Sequence, residues 1–95
     1  MAIKLDIKKV EKISKALGDP CRLKMMDMIK KQKNACQCTS IVDNLDLAQS
    51  TISHHIKQLI DADLLIAEKD GRNLKYHINK DVLAAYIKFL NQYES

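Results

Sequence analysis

Apolar residues recur along the chain in blocks, and the spacing inside each block predicts an element. Leu5, Val10, Ile13, Ala16 and Leu17 return at helical spacing and predict an amphipathic helix over 6–17. Gly18-Asp19-Pro20 interrupts it, with Gly closing one helix and Pro tolerated in the first turn of the next. In that next helix Leu23, Met26 and Ile29 recur at every third position, flanked by Met25 and Met28. The Met stripe reads as core filler, because a flexible thioether fits irregular gaps. After a soft break at Gln32-Lys33-Asn34 the pattern resumes at Thr39, with Ile41, Val42 and Leu45 on one face and a tight turn over Asn44–Leu47. A helix over Gln49–Ala62 then carries Ile52, Ile56, Leu59 and Ile60 at i, i+4, i+7 and i+8. Leu64–Ala67 and Leu74–Ile78 are β-prone runs on either side of Glu68–Arg72, whose Asp-Gly step predicts a hairpin. Leu83, Tyr86, Ile87 and Leu90 predict a final amphipathic helix over Val82–Tyr93.

Helices followed by one hairpin is the plan of a winged helix-turn-helix. The expected fold is mainly α with one β-hairpin, about five helices plus the wing. At 95 residues the chain holds one domain, 1–95, with no internal repeat. A chain of this size buries only about two thirds of its unfolded surface, so a partner chain is expected to complete the core. The longest stretch without a charge, Leu47–Ile56, is about half of what a bilayer-spanning helix needs. The start, MAIKLDIKKVEK, lacks a signal-peptide core, and the 3 Cys form no disulfide framework. Reduced thiols, a cytoplasmic location and no membrane partner are therefore expected. The net charge of +4 fits a polyanion partner but is unevenly spread. Residues 1–33 are strongly basic, whereas 34–95 carry a slight acidic excess.

The helix from Gln49 has two faces. Its apolar residues fall within an arc of about 100°, and Gln49, Ser50, Ser53, His54 and Lys57 occupy the adjoining polar arc with no carboxylate before Asp61. A helix lying in the major groove needs short hydrogen-bonding side chains near its N-terminus and no repelling acid. Gln can bond adenine through two contacts, Ser a base edge or phosphate, and Lys57 can neutralise phosphate. The hairpin adds Lys69, Arg72 and Lys75, suited to backbone or minor-groove contact. A polar arc by itself is equally a solvated helix face; polar face, short turn and basic hairpin in that order favour double-stranded DNA.

The segments ALGDPCRLKMMDMI, CQCTSIVDNLDLAQSTISHHIKQLIDADLL and DGRNLKYHI resemble the ArsR/SmtB family of winged-helix repressors, over about residues 10–79. The resemblance implies a homodimer paired through its first and last helices, bound to an inverted-repeat operator and released by an inducer. It puts Gln49, Ser50, Ser53 and His54 at base-contacting positions, and His55 at a position that packs or touches phosphate. The chain departs from the family in two places here. Ala48 stands where a capping Ser is common, and the reading helix has no Arg, which favours adenine-leaning readout through Gln49.

Cys36-Gln37-Cys38 is expected just before, or in the first turn of, the helix ending near Leu45. A helix N-terminus stabilises thiolate, the form that binds soft metals and reacts with oxidants. Two thiols one residue apart can share an ion where the backbone is not fully helical. In the family the matching Cys-x-Cys is the core of arsenic, antimony, cadmium or lead sensors, which implies As(III), Sb(III) or another soft ion as inducer, with no cofactor needed for folding. The family's further ligands are missing: Ile41 stands three residues past the pair where a third Cys is common, and no Cys precedes Cys21. The zinc site of the family's last helix is also absent, since Val82–Tyr93 holds no Asp, His or Glu. Cys21 is the remaining thiol, either a third sensing ligand or a small substitute for the family's Thr.

His54 and His55 point about 100° apart on a helix and do not grip one ion, and His77 reads as a surface strand residue. Three regulator readings stay open: metalloid-released repressor, thiol-redox repressor, and regulator without a small-molecule sensor. A fourth is a protein-interaction module. No Gly-rich phosphate loop, nucleophile elbow or His-Glu-x-x-His helix is present, so an enzyme is not expected.

Overall fold

A computed structural model describes residues 4–31, 36–37 and 47–94, with the backbone alone at 36, 37, 70 and 73. Helix α1 spans Ile7–Leu17 and starts at Asp6, whose carboxylate accepts from the Lys9 N–H at 2.8 Å. Gly18 closes it at φ −85. Glycine's freedom at positive φ is therefore not used here. Its lack of a side chain is, since a Cβ would stand 3.3 Å from the Ser14 carbonyl oxygen. Helix α2, Pro20–Lys31, begins on Asp19, whose Oδ1 accepts from the N–H groups of Cys21 at 2.8 Å and Arg22 at 3.2 Å. An aspartate cap with Pro in the first helical position is a strong helix start. The buried pair on α2 is Met25 and Ile29, while Leu23 is 52% exposed. The expected Leu23–Met26–Ile29 stripe is thus turned by part of a turn, and a methionine fills the core position.

The helix expected over 39–45, with its tight turn as far as residue 46, lies outside the described residues. Those residues hold four helices rather than about five. Helix α3, Gln49–Asp61, buries Ile52, Ile56 and Leu59 against α1, α2 and the sheet. Its end turns in a Schellman arrangement. The Leu64 N–H donates to the Leu59 carbonyl at 3.0 Å and the Asp63 N–H to the Ile60 carbonyl at 2.9 Å. Leu59 and Leu64 are both fully buried, supplying the apolar contact that accompanies this motif. The left-handed position is Asp63, at φ 60, which also ion-pairs with Lys9 of α1. Gly is the usual residue there because a Cβ is costly in that conformation. Asp63→Gly should therefore exceed Asp63→Ala in stability by about 1 kcal/mol. Both lose the Lys9 pair equally, so urea denaturation of the two variants isolates the backbone contribution.

The hairpin is longer and tighter than expected. Strands β2, Leu65–Asp70, and β3, Asn73–Ile78, pair from Leu65↔Ile78 to Asp70↔Asn73. Only Gly71 and Arg72 are left to turn the chain. Positive φ at Gly71 (63) and not at Arg72 is the pattern of a type II′ turn, which suits the twist of the flanking strands. A further short strand, β1 at Cys36–Gln37, adds to the other edge of β3 through Cys36↔Tyr76 and Gln37↔Lys75, giving the order β1-β3-β2. The hairpin base is anchored by buried Leu65 and Tyr76, and its tip projects.

Helix α4 spans Lys80–Asn91, two residues earlier than the apolar spacing indicates, because Asn79 caps it by accepting from the Val82 N–H at 3.4 Å. Tyr86 of α4 and Ser14 of α1 share a hydroxyl hydrogen bond of 2.8 Å, tying the first and last helices together. No helix among the described residues is long and apolar enough to cross a membrane.

Candidate nucleic-acid interface

Helix α3 separates its residues as its period requires. Ile52, Ile56 and Leu59 are buried, and Gln49, Ser50, Ser53, His54 and Lys57 are all exposed. Ala48 starts the helix with its carbonyl accepting from Ile52 at 3.0 Å, and no side chain caps the first turn. The N–H groups of that turn, with the helix dipole behind them, suit a phosphate. No acidic residue lies in this turn either, so nothing on α3 repels a polyanion before Asp61.

On the hairpin, Lys69 and Arg72 are exposed, whereas Lys75 is half-buried and stands opposite Glu68 in the ladder. With Lys75 half-buried, the exposed basic side chains of the hairpin are Lys69 and the turn residue Arg72. His77 is half-buried on β3, opposite Ile66, rather than a freely exposed surface residue.

His55 does not belong to the exposed arc. It is half-buried, with Nδ1 3.2 Å from the Arg22 guanidinium. Arg22 also donates through Nε to the Ala16 carbonyl at 2.7 Å and through Nη2 to the Lys15 carbonyl at 3.2 Å. One side chain thus satisfies the last carbonyls of α1 and holds α3 by its imidazole. His54 and His55 have ring centroids 6.0 Å apart at 54°, and they face different surroundings. Sequence reasoning missed Arg22. Its place in the first turn of α2 carries no sign that it reaches two other helices.

Two of the three cysteines, Cys21 and the backbone of Cys36, fall within the described residues. Cys36 lies in the extended backbone of β1, not in a helical first turn; its side chain, like all of Cys38, lies outside the described residues. Of the two expected placements, a helical first turn is excluded for Cys36, and the helix it was expected to precede lies outside the described residues. The backbone at Cys36 and Gln37 is not helical. Cys21 is a half-buried free thiol in the first turn of α2. Ligand atoms of Asp19, Cys21 and His55 lie within 4.8 Å of one another. Burial works to raise the Asp19 pKa, but N–H donation from Arg22 and Cys21 and the charge of Arg22 outweigh it. The carboxyl is held below its usual range and is ionised at neutral pH.

A family model described as bacterial regulatory protein, arsR family, matches residues 19–67. The arsenical resistance operon repressor of Staphylococcus aureus is 32% identical over 87 residues, covering 92% of this chain and 82% of that protein. Among solved structures, an ArsR family transcriptional regulator superposes with a TM-score of 0.83 at 21% identity, over 97% of this chain and 93% of the other. A homodimeric winged helix-turn-helix DNA-binding domain from Mycobacterium bovis superposes with a TM-score of 0.73 at 21% identity, over 99% of this chain and 91% of the other. The helices, their order and the projecting hairpin are those of a winged helix-turn-helix.

Proposed function

The chain belongs to the ArsR family of bacterial regulatory proteins, and on that premise we propose that it is a cytoplasmic transcriptional repressor released from its operator by a thiol-directed effector. The observation that carries the DNA reading is the exposed face of α3, polar throughout and free of carboxylates until Asp61. Gln49, Ser50, Ser53 and His54 contact base edges, with Gln49 favouring adenine. Lys57, Lys69, Arg72 and Lys75 contact phosphate, Lys75 the least because it is half-buried.

Two copies pair through α1 and α4, where Ile7, Ile87 and Leu90 are exposed, with exposed Tyr93 just beyond α4. The Mycobacterium bovis neighbour is homodimeric. Residues 1–95 then form one DNA-binding and dimerisation domain, and the twofold axis matches an inverted repeat whose half-sites lie about one helical turn apart. The effector, As(III) or Sb(III) by the chemistry of paired thiols, is held by Cys36 and Cys38. It acts by favouring a dimer shape that binds DNA weakly, for which a difference of a few kcal/mol between the two shapes is enough. Cys21, expected as a third thiol of that site, has neighbours of its own in Asp19 and His55. The arsenical resistance repressor among the relatives favours the metalloid over the oxidant.

The test starts from an operator selected out of randomised duplexes. Affinity measured by fluorescence anisotropy should fall steeply and log-linearly with salt, through counterion release. The double variant Gln49→Ala, Ser53→Ala should lose sequence preference, while Lys57→Ala weakens all sequences alike. Arsenite should release the native protein and leave the Cys36→Ser, Cys38→Ser variant bound. Release of that variant by arsenite sinks the effector assignment. Salt-independent binding, or none, sinks the DNA reading.

A further inference from the structure

We propose that Asp19, Cys21 and His55 form a metal site of the zinc class, separate from the paired thiols, which ties the start of α2 to α3. Three donors of different kinds, a carboxylate, a thiol and an imidazole, come from two elements 34 residues or more apart in sequence, and their ligand atoms already lie within 4.8 Å of one another. Zinc bonds of about 2.0–2.3 Å place the donors of a tetrahedral site roughly 3.3–3.8 Å apart. Side-chain rotation of about an ångström closes the set around an ion, with no change of backbone, leaving a fourth position for water.

The donor set selects the ion. One thiolate, one imidazole and one carboxylate suit Zn(II) or Co(II). Calcium and magnesium want oxygen alone, and a trivalent metalloid wants more thiolates. Charge is satisfied as well: a divalent ion with thiolate and carboxylate is neutral, so the nearby Arg22 guanidinium meets no net positive charge. Both backbone N–H donors to Asp19 land on Oδ1, which leaves Oδ2 to face the ion while the carboxylate continues to cap α2.

Arg22 is the competitor for this site. While its guanidinium donates to Nδ1 of His55, the neutral ring carries its proton on Nε2, so neither nitrogen is open to metal. An ion that takes His55 displaces that hydrogen bond or turns the ring. Loading therefore exchanges one tie of α3 for another, the Arg22 clamp for a bond to α2. The site does not depend on what α3 reads.

The experiment uses the full chain carrying Cys36→Ser and Cys38→Ser, in which Cys21 is the remaining thiol of the 3. Titration of this reduced protein with Co(II) should give a thiolate-to-cobalt charge-transfer band and tetrahedral d–d bands, saturating at one ion per chain. Adding Cys21→Ser should abolish the charge-transfer band. Adding Asp19→Asn or His55→Gln should weaken binding by at least the roughly 10–100-fold that even outer partners of a metal cost. Asn caps a helix as well as Asp does, so Asp19→Asn keeps the start of α2 while removing the charged ligand. Zn(II) should raise the melting temperature of the Cys36→Ser, Cys38→Ser protein and not of the triple variant, because an ion that binds only the folded form stabilises it. The assignment is overturned if the charge-transfer band fails to appear with Cys21 present, or if it survives unchanged in both Asp19→Asn and His55→Gln. Loss of operator binding would leave these spectra untouched, so the two readings fail separately.

Discussion

Leu59→Ala should cost the fold about 2–5 kcal/mol, a large part of the roughly 5–15 kcal/mol that holds a domain together. Leu59 is fully buried, and its carbonyl accepts the closing hydrogen bond of the turn after α3. Truncation leaves a cavity where α3 meets α1, α2 and the sheet, and it removes the apolar contact to Leu64 that accompanies this turn. At about 4–8 °C per kcal/mol for a domain of this size, the melting temperature should fall by more than about 8 °C. Leu23→Ala is the matched control. The apolar spacing of α2 counts Leu23 as core, but the side chain is more than half exposed, so its loss should stay within about 0.5 kcal/mol. Urea denaturation at fixed protein concentration measures both, since a dimer's apparent stability moves with concentration. Similar costs for the two variants would mean that the face of α2 is assigned wrongly.

The double variant Ile87→Glu, Leu90→Glu should turn the protein into a folded monomer. Ile87 is 51% exposed, Leu90 44% and Tyr93, just beyond α4, 72%, and Ile7 on the neighbouring α1 is 71% exposed. These large apolar side chains lie on or beside two helices joined by the Ser14–Tyr86 bond and stand exposed among the described residues, where water around them is costly. Two carboxylates placed there cannot be buried against their own copies without a desolvation penalty. Sedimentation should report half the mass of the native assembly. Affinity for the inverted repeat should drop by about 10²–10⁴-fold, the avidity lost when two linked reading helices become one. Affinity for an isolated half-site should change little, because Ile87 and Leu90 lie on neither α3 nor the hairpin. A variant that stays dimeric would move the interface elsewhere.

Much of this architecture is legible in the chain because it rests on local rules. The period of Ile52, Ile56 and Leu59 divides α3 into a buried and an exposed face whatever it packs on. The Gly18-Asp19-Pro20 break contains the cap and first residue of α2, so the boundary follows from the backbone groups those residues satisfy. The hairpin is legible from its β-prone runs. Its turn shrank to Gly71-Arg72 because pairing continues through Lys69, Asp70 and Asn73, residues with weak strand preference that are carried by their neighbours. Likewise the lack of a side-chain cap before Gln49 follows directly from Ala48.

What the sequence determined by itself was the order of α1, α2, α3, the hairpin and α4, the two faces of α3 and the paired-thiol motif at Cys36 and Cys38. Each depends on residues within a few positions of one another, where helical or strand geometry sets who shares a side. What only the tertiary structure decided was how distant residues meet. Arg22 reaches His55 across 33 positions, Cys36–Gln37 joins the edge of β3, and Asp19, Cys21 and His55 converge. Those meetings depend on the angle and separation at which α1, α2 and α3 pack, which are set by the volume of Ile13, Met25 and Leu59 between them. Residue spacing within any one helix carries no trace of that volume, so the sequence offered Cys21 only as a third thiol for the Cys36–Cys38 pair or a substitute for Thr, whereas in three dimensions it stands beside Asp19 and His55.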